Sequence, residues 1–191
     1  MIALRRSAVH ADWVELKDGE QVLDEVEVRF RFRHMSKTFV SVEEAKKFLH
    51  DTERKQAKNY ACYLLSARSY ASELLGKKLS EKGYSVNVVQ ETVQKLTDLG
   101  LLQDEQWQQR EVERELARGH GPRFIEAKWR AKGLPTEPVR KYMTDEMQKD
   151  KIQELWKKLC KKSDRRKAIG FLARRGFDLD LIMQVCYGHH S

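Results

Sequence analysis

Basic side chains gather around three glycines of this sequence. Lys77, Lys78 and Lys82 come before Gly83, and Lys128, Arg130 and Lys132 before Gly133; Arg165, Arg166, Lys167, Arg174 and Arg175 come before Gly176. Cations repeated at one structural position are the footprint of a polyanion, either a nucleic-acid backbone or an acidic protein groove. A helix face that merely meets solvent would carry the same residues. The other reactive side chains make no constellation. None of His10, His34, His50, His120, His189 and His190 stands at a metal-ligand spacing from a cysteine or carboxylate. His189-His190 reads as a terminal tail. Cys160 lies among Lys157, Lys158, Lys161 and Lys162, whose charge favours a thiolate, but no partner base is in view and the residue reads as structural. Asp104-Glu105 reads as the capped start of a helix. No glycine loop cradles a phosphate and no nucleophile elbow occurs. The chemistry expected is binding without catalysis, cofactor or metal.

The elements that carry these cations form an internal repeat. Leu79-Ser-Glu-Lys-Gly83-Tyr84, Trp129-Arg-Ala-Lys-Gly133-Leu134 and Leu172-Ala-Arg-Arg-Gly176-Phe177 align on their glycines. A large apolar residue stands four before each glycine, a basic residue one before and an apolar residue one after. Six after come Val89, Val139 and Ile182; ten after come Val93, Met143 and Cys186. The pattern predicts a helix closed by a left-handed glycine, a stapled turn and a second helix. The caps expected are Ser85, Thr136 (since Pro135 takes the usual place) and Asp178. Gly100 closes one helix and Asp104 caps the next, and Gly121-Pro122 opens another with proline in its first turn. Leu79, Trp129 and Leu172 are the expected core.

The start of the chain has another period. Trp13-Val14-Glu15-Leu16 leads to the turn signal Asp18-Gly19, and Glu25–Arg33 alternates with Val26, Val28, Phe30 and Phe32 on one face. A small antiparallel hairpin or meander is expected there. Ser41-Val42-Glu43-Glu44 is a capping box that opens a helix to about Ala67. The resulting fold is mainly α: tandem three-helix repeats in an elongated curved array with a small N-terminal β-hairpin-like appendage. The expected divisions are the appendage over 1–40, a long helix and first repeat over 41–103, a second repeat over 104–145 and a third over 146–191.

Composition agrees with a surface-rich protein. Of 191 residues, 40% are hydrophobic and 35% charged, against the usual quarter or so for charged residues. The net charge of +8 is uneven: residues 151–191 hold 10 basic and 4 acidic groups, whereas residues 1–40 hold 7 of each. No apolar segment follows Met1–Arg6 and none approaches the length of a membrane span, so neither leader nor membrane is expected. Three well-separated cysteines suit a reducing cytoplasm. A monomer is expected.

Three segments carry a resemblance: Leu101-Leu102-Gln103-Asp104-Glu105-Gln106-Trp107, then Gly121-Pro122-Arg123-Phe124-Ile125 with Lys132-Gly133-Leu134, then Arg165-Arg166-Lys167 with Phe171-Leu172-Ala173-Arg174-Arg175-Gly176-Phe177. In this order, over roughly Ala57 to Tyr187, the chain resembles the RecX family, the bacterial regulators of the RecA recombinase. It departs at Tyr70, where the family often has a capping serine, and at Gln103, where it often has aspartate. The resemblance implies tandem three-helix repeats that bind in the groove of the RecA–DNA filament and lower its ATPase, strand-exchange and co-protease activities, in recombination and the SOS response. It also implies direct DNA binding by some members. A helical module that binds single- or double-stranded DNA independently of RecA is the alternative. The eleven basic residues above are the binding candidates, from charge alone.

Overall fold

The computed structural model describes residues 1–28, 36–160 and 164–188. Its contacts divide it into two compact units, Met1–Leu102 and Gln103–Ser191. The described residues form a small sheet followed by helices.

The first unit begins with β1 (Ile2–Arg6), β2 (Trp13–Asp18), β3 (Gln21–Glu27) and the short β4 (Thr38–Phe39). They make an antiparallel sheet in the order β3-β2-β1-β4. The turn signal is real: Asp18 pairs with Gln21 across Gly19, whose φ is +59°. Strands β1, β2 and β3 make the meander expected as one of the two forms, with Leu4 of β1 paired to Leu16, and β4 adds a short edge beside β1. Most of the expected strand over 25–33 lies outside the described residues. Ile2, Leu4, Val14 and Leu16 turn to one face and share a core with Phe39, Ala45 and Leu49.

Helix α1 (Val42–Ala67) opens as the capping box requires: Ser41 Oγ accepts from the Glu44 N–H at 3.1 Å. Glu44 reaches back to the Val40 N–H, at 2.9 Å, one residue before the cap. Ala45, Leu49, Glu53, Ala57 and Ala61 make its buried seam at every fourth residue. The small side chains at 57 and 61 let α2 (Ser72–Glu81) and α3 (Val86–Asp98) lie close. Ser85 stands at the N-cap of α3 without a side-chain cap bond; its own N–H is donated to buried Glu53 at 2.5 Å.

The second unit holds α4 (Asp104–Ala117), α5 (Pro122–Arg130), α6 (Glu137–Tyr142), α7 (Asp145–Leu159), α8 (Arg165–Arg174) and α9 (Leu179–Tyr187). Asp104 is the first residue of α4 and Gln103 its cap, one position from expectation. The repeat register holds in three dimensions. Leu79, Trp129 and Leu172 are each at most 1% exposed. Tyr84 and Val89, Leu134 and Val139, and Phe177 and Ile182 are all buried. Gly83, Gly133 and Gly176 have φ of +95°, +73° and +84°.

Gly133 and Gly176 nonetheless serve different ends. A Cβ on Gly133 would meet nothing within 4 Å, so only its φ requires glycine. A Cβ on Gly176 would lie 2.3 Å from the Phe124 nitrogen, and one on Gly121 would lie 2.3 Å from the Phe177 nitrogen. These two glycines let two backbones touch. Gly133→Ala is therefore expected to cost about 1 kcal/mol, a fall of roughly 2–4 °C in melting temperature for a chain of this size. Gly176→Ala should fall several times further, as should Gly121→Ala, whose φ of −85° carries no strain of its own. Equal shifts at 121, 133 and 176 would contradict the backbone contact.

Candidate partner-binding surface

The candidate cations lie on or just beyond the second helix of each group, α2, α5 and α8. Their surroundings separate them. Lys128 and Arg175 are half-buried and committed to the interior. Glu115, fully buried on α4, receives Lys128 Nζ at 2.8 Å, Arg118 Nη1 at 3.0 Å and His120 Nδ1 at 2.7 Å. His120 Nε2 faces Arg175 Nη1 at 2.7 Å. A guanidinium only donates, so Nε2 accepts and the ring proton sits on Nδ1, aimed at Glu115. Burial alone would raise the Glu115 pKa, but the hydrogen bonds from Lys128 and His120 hold it down to about 2. The arginine plane also lies 5.1 Å from the Phe171 ring centroid.

Beside this cluster, α8 meets α5 end to end. The Gly121 N–H donates to Arg175 O at 2.8 Å and the Arg123 N–H to Gly176 O at 3.1 Å. The orphan donors at the start of α5 thus find acceptors at the end of α8. Pro122, at the first helical position, has no donor to satisfy. Asp178 caps α9 in position only. Its carboxylate is taken by Arg140 at 2.6 Å, Gln148 at 3.2 Å and Arg123 at 3.3 Å. Burial would raise its pKa; Arg140 and Gln148 hold it below the usual carboxylate range.

The remaining candidates face solvent. Lys78 pairs with Glu81 at 2.6 Å, and Lys82 lies over the Tyr60 ring at 5.4 Å. Lys77, Arg130, Lys132, Arg165, Arg166, Lys167 and Arg174 are exposed, with no acid among the described residues within ion-pair distance. Arg165, Arg166 and Lys167 occupy the first turn of α8, the positive end of the helix dipole, and no acidic residue shares that turn. Cations there cost a helix about 0.3–1 kcal/mol each. Helix stability does not account for them.

Among the described residues no three His, Cys, Asp or Glu side chains are grouped to hold a metal, and no helix is long and apolar enough to cross a membrane. His189 and His190 lie outside the described residues, as do Lys161 and Lys162. Burial pushes the Cys186 thiol up to about 11.

A family model described as RecX, first three-helix domain, matches residues 57–96, the second half of α1 with α2 and most of α3. The regulatory protein RecX of Mycobacterium sp. (strain KMS) is 30% identical over 145 residues, covering 68% of this chain and 79% of the relative. The chain belongs to the RecX family. The RecX of Legionella pneumophila (strain Corby) is 29% identical over 133 residues, covering 65% of this chain and 89% of its own. A crystal structure of RecX from Lactobacillus salivarius superposes with a TM-score of 0.65 at 22% identity, over 72% of this chain and 96% of that one. Another RecX crystal structure reaches 0.65 at 18% identity, over 97% and 98%. At these identities the structures speak for the fold, mainly helical with a small N-terminal sheet in this RecX chain.

Glu115 ties this RecX fold to pH. Its carboxyl has a lower pKa folded than unfolded, so its stabilisation is full above the ordinary value of 4.5 and is lost as pH falls towards about 2. Glu115→Gln should melt lower at neutral pH and flatten the melting curve's pH dependence between about 4.5 and 2. A parallel pH profile for variant and parent would show that the buried carboxylate is not the titrating group.

Proposed function

We propose that this chain regulates RecA by binding the RecA–DNA filament, and that it mainly inhibits the ATPase, strand-exchange and co-protease activities. It acts in the cytoplasm, by binding and without catalysis, as a monomer. Family membership supports the general role. The observation that carries the contact surface is the first turn of α8, where Arg165, Arg166 and Lys167 stand exposed at the helix's positive end, with Asp164 at the cap before them and no acid within the turn. Such residues weaken the free protein and are relieved by an anionic partner. Arg174 at the far end of α8, and Arg130 and Lys132 at the end of α5, extend the basic surface of the same unit. The three-repeat division at about 103 and 145 is part of this reading, the third repeat being the main contact.

The test separates binding from folding. Arg165→Glu/Arg166→Glu/Lys167→Glu should abolish inhibition of RecA ATPase while the variant melts no lower than its parent, because acids suit that helix end. Inhibition equal to the parent's would move the contact elsewhere, to Arg130 and Lys132 first. The salt dependence of parent binding identifies the groove met. Phosphate contacts give a slope of about −0.9 each on duplex or about −0.7 on a single strand, and an acidic protein surface gives a shallower one.

A further inference from the structure

Four of the chain's six tyrosines, Tyr60, Tyr63, Tyr70 and Tyr84, fall in α1, α2 and their connections. Tyr70 and Tyr84 are buried and belong to the core. Tyr63 is 68% exposed. Its ring lies near-parallel to that of Tyr60, with centroids 6.4 Å apart and planes 20° from each other. Tyr60 also has the Tyr84 ring at 6.4 Å and the Lys82 ammonium at 5.4 Å. Just past the end of α1, the Arg68 guanidinium lies 4.6 Å from the Tyr70 ring centroid. The packing of α1 does not need Tyr63: the buried seam runs along Ala45, Leu49, Glu53, Ala57 and Ala61. The outcome is an exposed ring, Tyr63, backed by a second one, with Lys82 over that second ring and Arg68 five residues after Tyr63 along the chain.

This combination matches the needs of a nucleic-acid strand without a partner strand. Its bases expose their π-faces, and its phosphates seek cations nearby; duplex bases hide those faces. An acidic peptide would use the cations and leave the rings idle. We propose that Tyr63 and Tyr60, with Lys82 and Arg68, form a contact site for single-stranded nucleic acid. An unpaired base stacks on the open face of Tyr63 and the adjoining phosphates take Lys82 and Arg68 as counter-ions. The site is distinct from the α8 surface and does not depend on filament binding.

The test uses the full chain alone, without RecA, and measures binding to a fluorescent thymidine oligonucleotide, to an abasic strand of the same length and to the corresponding duplex. Tyr63→Ala should weaken binding to the thymidine strand about tenfold and leave the abasic strand and the duplex unaffected, whereas Tyr63→Phe should bind like the parent. Lys82→Gln should weaken both single strands and make the salt slope shallower by roughly 0.7. Tyr63 and Lys82 are exposed, and unchanged melting confirms that the variants fold. An unchanged affinity in Tyr63→Ala overturns the proposal, and so does an equal loss on all three ligands. Loss of RecA inhibition by Tyr63→Ala with oligonucleotide binding intact would make this face a protein contact, which also overturns it.

Discussion

The second unit depends on one contact, the meeting of two helix ends at Gly121 and Gly176. A helix start has amides without acceptors and a helix end has carbonyls without donors. Joining the end of α8 to the start of α5 satisfies both and sets opposite dipole ends together. Backbones come this close only where neither side carries a Cβ, and virtual Cβ atoms at both positions fall at 2.3 Å from backbone nitrogens. The glycine that closes α8 as a left-handed cap is therefore also a docking surface. Its counterpart Gly133 has open space beside it and has only the first role.

The polar core follows from that contact. Once Arg175 O is fixed against Gly121, the Arg175 side chain is held beside His120, and His120 beside Glu115. A buried carboxylate is costly alone and tolerable when donors surround it. Here Lys128, Arg118 and His120 do so from three directions along α4, α5 and the turn between them. The stacking of His120 on Phe124, with centroids at 4.0 Å, fixes the ring that links the two arginine-bearing ends.

Much of this was legible in the sequence and some was not, for identifiable reasons. The helix–glycine–helix register shows because burial recurs at fixed offsets from a residue with unusual φ, and both constraints act locally. Ser41 and Pro122 show for the same reason. β1 does not: Ile2 and Leu4 are too few to declare a period, and their partners come later in the chain. Asp178 and Ser85 occupy cap positions without a side-chain cap bond; the Asp178 carboxylate is taken by tertiary partners, and Ser85 gives its backbone N–H to Glu53. Glu115 sits in the highly charged run Glu111–Glu115 and looks solvent-facing. The one local hint is that Val112 and Leu116, each beside a buried glutamate, carry the apolar seam.

The same division governs how the basic charge should be interpreted. A count of cations treats Lys128 and Arg175 like Lys132 and Arg174, although the first pair is spent inside the fold and the second pair faces water. Reversing Lys128 would set a second acid against buried Glu115, and reversing Arg175 would leave His120 Nε2 without its donor, so any loss of partner binding would follow from loss of structure. Reversing a first-turn cation of α8 acts in the opposite sense on stability, because the helix dipole there prefers an acid. Charge kept for the fold loses stability when reversed, whereas a first-turn cation of α8 does not, so substitutions in that turn let an effect on binding be read apart from an effect on folding.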